Sequence, residues 1–136
     1  MDDVIAAKAA SIRRCVGRAR EEYRNAGNNF KSDFTHQDAA ILNVVRACEL
    51  AIDLANHIVQ KRKIGLPSTS RESFELLHSA GLIDETLEDN LIRMIGFRNV
   101  AVHAYQQIDL TIVQRVIQTG LDDVLSFADQ MISLDK

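Results

Sequence analysis

An arginine and a histidine five residues apart, Arg98 and His103, stand in the stretch Arg98-Asn99-Val100-Ala101-Val102-His103-Ala104-Tyr105. Arginine is a permanent cation whose planar fork of donors suits a phosphate, and histidine can both take and give a proton near neutrality. Together they suffice for phosphodiester cleavage without a metal. A base removes the proton from an RNA 2′-hydroxyl, the oxygen attacks the adjacent phosphorus, and a cation stabilises the charge that develops. The spacing alone is weak evidence. With eleven arginines and four histidines in 136 residues, about 0.3 such pairs arise by chance, so context must carry the argument. The bland reading is a helix whose arginine makes a surface ion pair and whose histidine caps or packs.

Composition sets the scaffold that must position these residues. A chain of 136 residues with 46% hydrophobic and 26% charged residues, one proline and six glycines reads as a single helical domain over 1–136, long enough to bury a core. Cys15 and Cys48 occupy apolar positions of helical patterns. No second ligand stands at zinc spacing, so packing is their expected role and no metal or cofactor is expected. No stretch resembles a signal peptide or an 18-residue apolar span, which points to a cytoplasmic protein with reduced thiols and no membrane contact. The formal net charge of −3 argues against a general nucleic-acid coat, so any RNA contact must use a local cleft.

Taken in order, residues 2–24 read as an amphipathic helix with Ile5, Ile12, Cys15, Val16, Ala19 and Tyr23 on one stripe. Arg13, Arg20 and Arg24 form a basic stripe, either a solvated face or an edge that steers phosphate toward the cleft. A second helix begins near Asp33 or Thr35 and runs to about Lys63. Leu42, Leu50, Leu54 and Ile58 widen its apolar surface until a partner subunit is expected to cover part of it. Asp53 and His57, four apart on that helix, are expected to be a simple stabilising pair. Gly65 and Pro67 break the chain, and Thr69 with Glu72 has capping-box spacing for a short helix that ends at Gly81. His78, on that helix, is read as structural or exposed. Asp84 or Thr86 caps the helix that delivers Arg98, and Asp109 caps the last one. In an unbroken helix, Arg98 and His103 lie about 140° apart, whereas Tyr105 returns nearly to the face of Arg98. Convergence of Arg98 and His103 on one phosphate therefore requires a bend or a second subunit.

With the chain laid out, it resembles the HEPN-domain toxins of the HepT type, partners of minimal nucleotidyltransferase (MNT) antitoxins. The likeness lies in Ala40-Ile41-Leu42-Asn43, Arg46-Ala47-Cys48-Glu49, Ile52-Asp53-Leu54-Ala55-Asn56-His57, Gly65-Leu66-Pro67, Gly96-Phe97-Arg98-Asn99, Val102-His103-Ala104-Tyr105 and Ile108-Asp109-Leu110. R-N-x-x-V-H-x-Y is its specific part. The resemblance implies an all-α, up-and-down bundle of four to five helices that forms a homodimer. It also implies a metal-independent endoribonuclease acting where the two subunits' motifs meet. On this reading Arg98 and His103 are catalytic, Asn99 orients the phosphate or the imidazole, and Tyr105 is the tyrosine to which the antitoxin attaches AMP. The competing reading is a non-catalytic helical module that docks a nucleotidyltransferase.

Overall fold

In the computed structural model, which describes residues 2–135, each long helix starts at a carboxylate or hydroxyl that accepts otherwise unpaired backbone N–H groups. Asp2 caps α1 (Asp3–Ala26) by accepting from Val4 and Ile5. Asp33 caps α2 (Phe34–Arg62) through His36. Thr69 caps α3 (Ser70–Ser79), and Asp84, not Thr86, caps α4 (Glu85–His103) through Leu87. Asp109 caps α5 (Leu110–Arg115), which continues through a π segment (Val116–Gly120) into α6 (Leu121–Asp135). The expected capping box is shifted by one residue. Thr69 accepts from Glu72 N–H, but the Glu72 carboxylate turns back to the backbone and hydroxyl of Ser68, both at 2.9 Å.

All elements among the described residues are helical. α1 packs most extensively on α2, α6 lies across both, and α3 and α4 pack on α2 and on each other. The interior is filled by residues such as Ile12, Leu54, Ile58, Leu91, Leu121 and Met131. Phe74 and Phe127 meet edge to face at 5.4 Å within it. Cys15 and Cys48 are buried free thiols within this core, as their apolar positions suggested. Burial pushes the Cys48 thiol up to about 12, which keeps it protonated and inert.

One expectation about α2 changes. Leu54 and Ile58 are 0% and 1% exposed, so the chain itself covers half of the apolar surplus that suggested a partner, because α2 is sandwiched between α1, α6 and α3. Leu42 remains 48% exposed and Leu50 is half-buried. The helix ends at Arg62, in line with the expected end near Lys63, and its cap is not a glycine. Lys63 itself takes the left-handed turn at φ 54°, and Gly65 instead lets the backbone cross Leu76, whose side chain would lie 2.7 Å from an added Cβ. The π segment was not legible in the apolar periodicity. There Thr119 Oγ1 donates to Arg115 O at 2.9 Å, and Gly120 brings the rod close to Met94 of α4.

The charged side chains of α1 and α2 serve mainly to tie helices together. Arg13 meets Asp129 at 3.0 Å, and Arg20 meets Asp122 at 2.7 Å and the Ile117 carbonyl at 3.2 Å. Two of the three arginines in the basic stripe are thereby engaged with α6 or the π segment. Asp53 and His57 do not pair with each other. Asp53 lies 3.9 Å from Lys8, while His57 Nε2 lies 2.7 Å from Asp2. His78 contacts Glu88 at 3.4 Å, a surface tie between α3 and α4.

Asp2 is the centre of a latch that joins the start of α1, the end of α2 and the end of α6. It contacts His57 and, at 3.0 Å, Lys61, which also reaches Asp135 at 3.2 Å. The hydrogen bonds from His57 and then Lys61 hold the Asp2 carboxyl far below its ordinary 3.8. The backbone N–H of Asp2, then Lys61, lowers Asp135 in the same direction. The unfolded chain binds these protons more tightly than the folded one, so the latch stabilises the bundle above about pH 4 and is lost as pH falls below it. Thermal melts between about pH 5 and pH 2 are expected to show this loss, with a shallower decline in Asp2→Asn than in the parent.

Candidate functional site

α4 runs without interruption through Arg98 and His103, and ends only where Ala104 N–H bonds to Val100 O at 2.8 Å. Val100 and Val102 are poor helix formers, yet the helix holds to His103 because its buried face (Leu87, Leu91, Met94, Ile95, Ala101) is anchored in the core. The bend that would aim Arg98 and His103 together is absent from this helix. Their side chains leave the axis about 140° apart.

Arg98 turns toward α2. Its side chain is 20% exposed, and Nη1 lies 3.4 Å from Glu49 Oε1. Nε is buried and finds no partner among the described residues. A buried unsatisfied donor costs about 1–3 kcal/mol. With one long contact and one idle donor, this guanidinium has hydrogen-bonding capacity left for an anionic ligand. Its charge also reaches Cys48, where it opposes the effect of burial on the thiol.

His103 and Asn99 are exposed, and neither makes a side-chain hydrogen bond to a described residue. Tyr105 opens a 3-10 turn (Tyr105–Gln107) just past α4. Its hydroxyl donates to Asp38 on α2, and the residue is 43% exposed. Partial burial, then the Asp38 carboxylate, pushes the phenol up to about 12, so it is neutral at physiological pH.

The sequence reading singled out neither partner for a role. Glu49 and Asp38 lie 49 and 67 residues from the side chains they touch, and only the packing of α2 against the end of α4 brings them there. They share one face of α2, because eleven residues advance the helix by about three turns. Leu42 and Val45 lie between them and, with Ile41, Ala101 and Val102, line a groove of about 340 Å³ that ends at Asp38 and Tyr105. Around it Phe34, Leu42 and Val102 are 72%, 48% and 51% exposed. On the other flank of α2, Arg14, Arg18 and Arg46 line a groove of about 730 Å³ that also contains Glu49. Cations are thus continuous with the carboxylate that Arg98 touches. Arg18 is held by Glu21 and Glu22, at 3.2 and 2.9 Å. Arg14 and Arg46 have no carboxylate partner among the described residues.

Among the described residues no helix is long and apolar enough to cross a membrane. The family model for HepT-like ribonucleases matches residues 12–131. The mRNA nuclease HepT of Shewanella oneidensis is 48% identical over 129 residues, covering 95% of this chain and 96% of that protein. The tri-AMPylated HEPN toxin of the same organism, solved in complex with its MNT antitoxin, superposes with a TM-score of 0.92 at 46% identity, covering 98% of this chain and 99% of that one. A toxin–antitoxin structure with AMP-PNP superposes at 0.91, also at 46% identity, covering 96% and 99%. The resemblance read from R-N-x-x-V-H-x-Y therefore extends over nearly the whole chain, and the protein belongs to the HepT-like ribonuclease family.

Proposed function

We propose that this protein is a cytoplasmic, metal-independent endoribonuclease toxin whose site is completed at a homodimer cleft. We propose further that a minimal nucleotidyltransferase neutralises it by attaching AMP to Tyr105. The observation that carries the reading is the pair Arg98 and His103 near the exposed end of α4, in a chain 48% identical to an mRNA nuclease. His103, exposed and free of side-chain bonds, acts as the acid/base. It takes the proton of the 2′-hydroxyl as that oxygen attacks phosphorus, and the 5′-oxygen leaves with a proton. Arg98 moves from its long contact with Glu49 onto the phosphate and stabilises the developing charge. Asn99, adjacent on the exposed side, orients the phosphate or the imidazole.

The geometry of α4 supports a dimer. Because α4 is uninterrupted between Arg98 and His103, their side chains leave the axis about 140° apart, which favours a site that takes one group from each subunit. Phe34, Leu42 and Val102 offer the apolar surface around Tyr105 for this contact. Docking of a nucleotidyltransferase, the competing reading of the sequence, becomes part of the same account. The related toxin was solved with its MNT antitoxin while carrying AMP. An AMP on Tyr105 would set a bulky base and a negative charge two residues from His103, where they would oppose RNA.

Purified protein is expected to cleave RNA in the presence of EDTA and to leave 2′,3′-cyclic phosphate ends. His103→Ala and Arg98→Ala should each lower the rate by about a hundred- to ten-thousand-fold without lowering the melting temperature appreciably, because neither side chain belongs to the core. Full activity of His103→Ala, or loss of activity with EDTA, contradicts the mechanism. Light scattering at micromolar concentration is expected to report a dimer. An active monomer would contradict the shared site.

A further inference from the structure

α2 and its N-cap carry four carboxylates, and one of them has no cationic partner among the described residues. Asp33 caps the helix and contacts His36 at 2.6 Å, Glu49 contacts Arg98, and Asp53 lies near Lys8. Asp38 has a single side-chain partner among the described residues, the Tyr105 hydroxyl. Beside this pair the groove walls are apolar: Ile41, Leu42, Val45, Ala101 and Val102. We propose that Asp38 is the proton acceptor for Tyr105 during adenylyl transfer, so that the toxin itself supplies the base for its own modification. This rests on the reading of Tyr105 as the residue that receives AMP.

The chemistry needs such a group. A phenol raised to about 12 supplies only about one phenolate in a hundred thousand at pH 7, too few for attack by a pre-formed anion. With Asp38 already accepting the hydrogen bond, no rearrangement is needed. As the Tyr105 Oη–Pα bond of ATP forms, the bond from Pα to the bridging oxygen of the β-phosphate breaks and pyrophosphate leaves with the electron pair. The phenolic proton, acidified by the new bond, passes to the Asp38 carboxylate and then to water. Among the described residues no cation competes for the Asp38 oxygens, whereas Glu49 contacts Arg98.

The product reverses the interaction. Tyr105 now carries a phosphodiester with one negative charge and no proton to donate, next to an Asp38 that has returned to its anionic form. Like charges at this range repel, and the apolar groove strengthens the repulsion. The adenylylated side chain is therefore driven outward from its contact with Asp38, two residues from the exposed His103, where it obstructs RNA. One carboxylate thus promotes the transfer and then expels its product.

The test uses the full-length toxin with its cognate nucleotidyltransferase and ATP labelled at the α-phosphate, following the first AMP added. Asp38→Asn keeps an oxygen that can accept the phenol hydrogen bond but removes the basicity. Its maximal transfer rate is expected to fall about a hundredfold or more while the KM for the toxin stays near the parent value. Asp38→Glu should recover much of the rate, which a misfolded helix would not do, and circular dichroism should match the parent for both variants. A parent-like rate in Asp38→Asn, or a change in KM alone, overturns the proposal. Failure of the reading beneath it looks different: the parent takes no label, or Tyr105→Phe takes as much as the parent.

Discussion

The geometry of a straight helix governs the functional arrangement. Residues five apart on an α-helix point in directions about 140° apart, and α4 remains helical from Glu85 to His103. One copy of this chain therefore displays Arg98 on one side of α4 and His103 on another. The core enforces that separation, because Leu91, Met94, Ile95 and Ala101 fix the rotation of the helix while Arg98 is turned toward α2 and His103 toward solvent. Bending α4 would disrupt the same packing that holds the bundle.

α2 is the complementary surface. One of its faces presents Asp38, Leu42, Val45 and Glu49, so a single helix meets Tyr105 at one end and Arg98 about 16 Å further along. On the proposed reading, regulation and catalysis share this helix face. The carboxylate at one end handles the phenol, and the one at the other end holds the arginine loosely until phosphate replaces it. The chain's negative net charge is compatible with RNA because the surplus acids lie mainly beyond residue 84. Two of them, Asp129 and Asp122, are tied to α1 by Arg13 and Arg20, while Arg14 and Arg46, in the groove beside Glu49, have no carboxylate partner among the described residues.

What was legible in the sequence is what local physics determines. Asp33, Thr69, Asp84 and Asp109 cap the helices expected of them, because a cap depends on residues within one turn. The buried thiols followed from the apolar stripe in the same way. Long-range partners were not legible. His57 faces Asp2 across the bundle rather than Asp53 one turn away, since packing brings the start of α1 to within 2.7 Å of its Nε2. Arg13 and Arg20 looked like a solvated or phosphate-steering stripe until α6 brought Asp129 and Asp122 to them. Leu54 and Ile58 seemed surplus because periodicity counts the apolar width of a helix but not how many neighbours cover it. In the site, the motif announced Arg98, His103 and Tyr105, whereas Asp38 and Glu49 emerged only from the contact between α2 and α4.

The claim that one cleft draws Arg98 and His103 from different subunits is tested most directly by combining two inactive variants. Arg98→Ala and His103→Ala would be purified separately, shown to be inactive on RNA, and then mixed under conditions of subunit exchange. Random pairing makes half of the dimers mixed, and each mixed dimer holds one cleft with an intact arginine from one chain and an intact histidine from the other. The account predicts recovery of about a quarter of the parent activity. A mixture that stays as inactive as its components, with exchange verified, would contradict it.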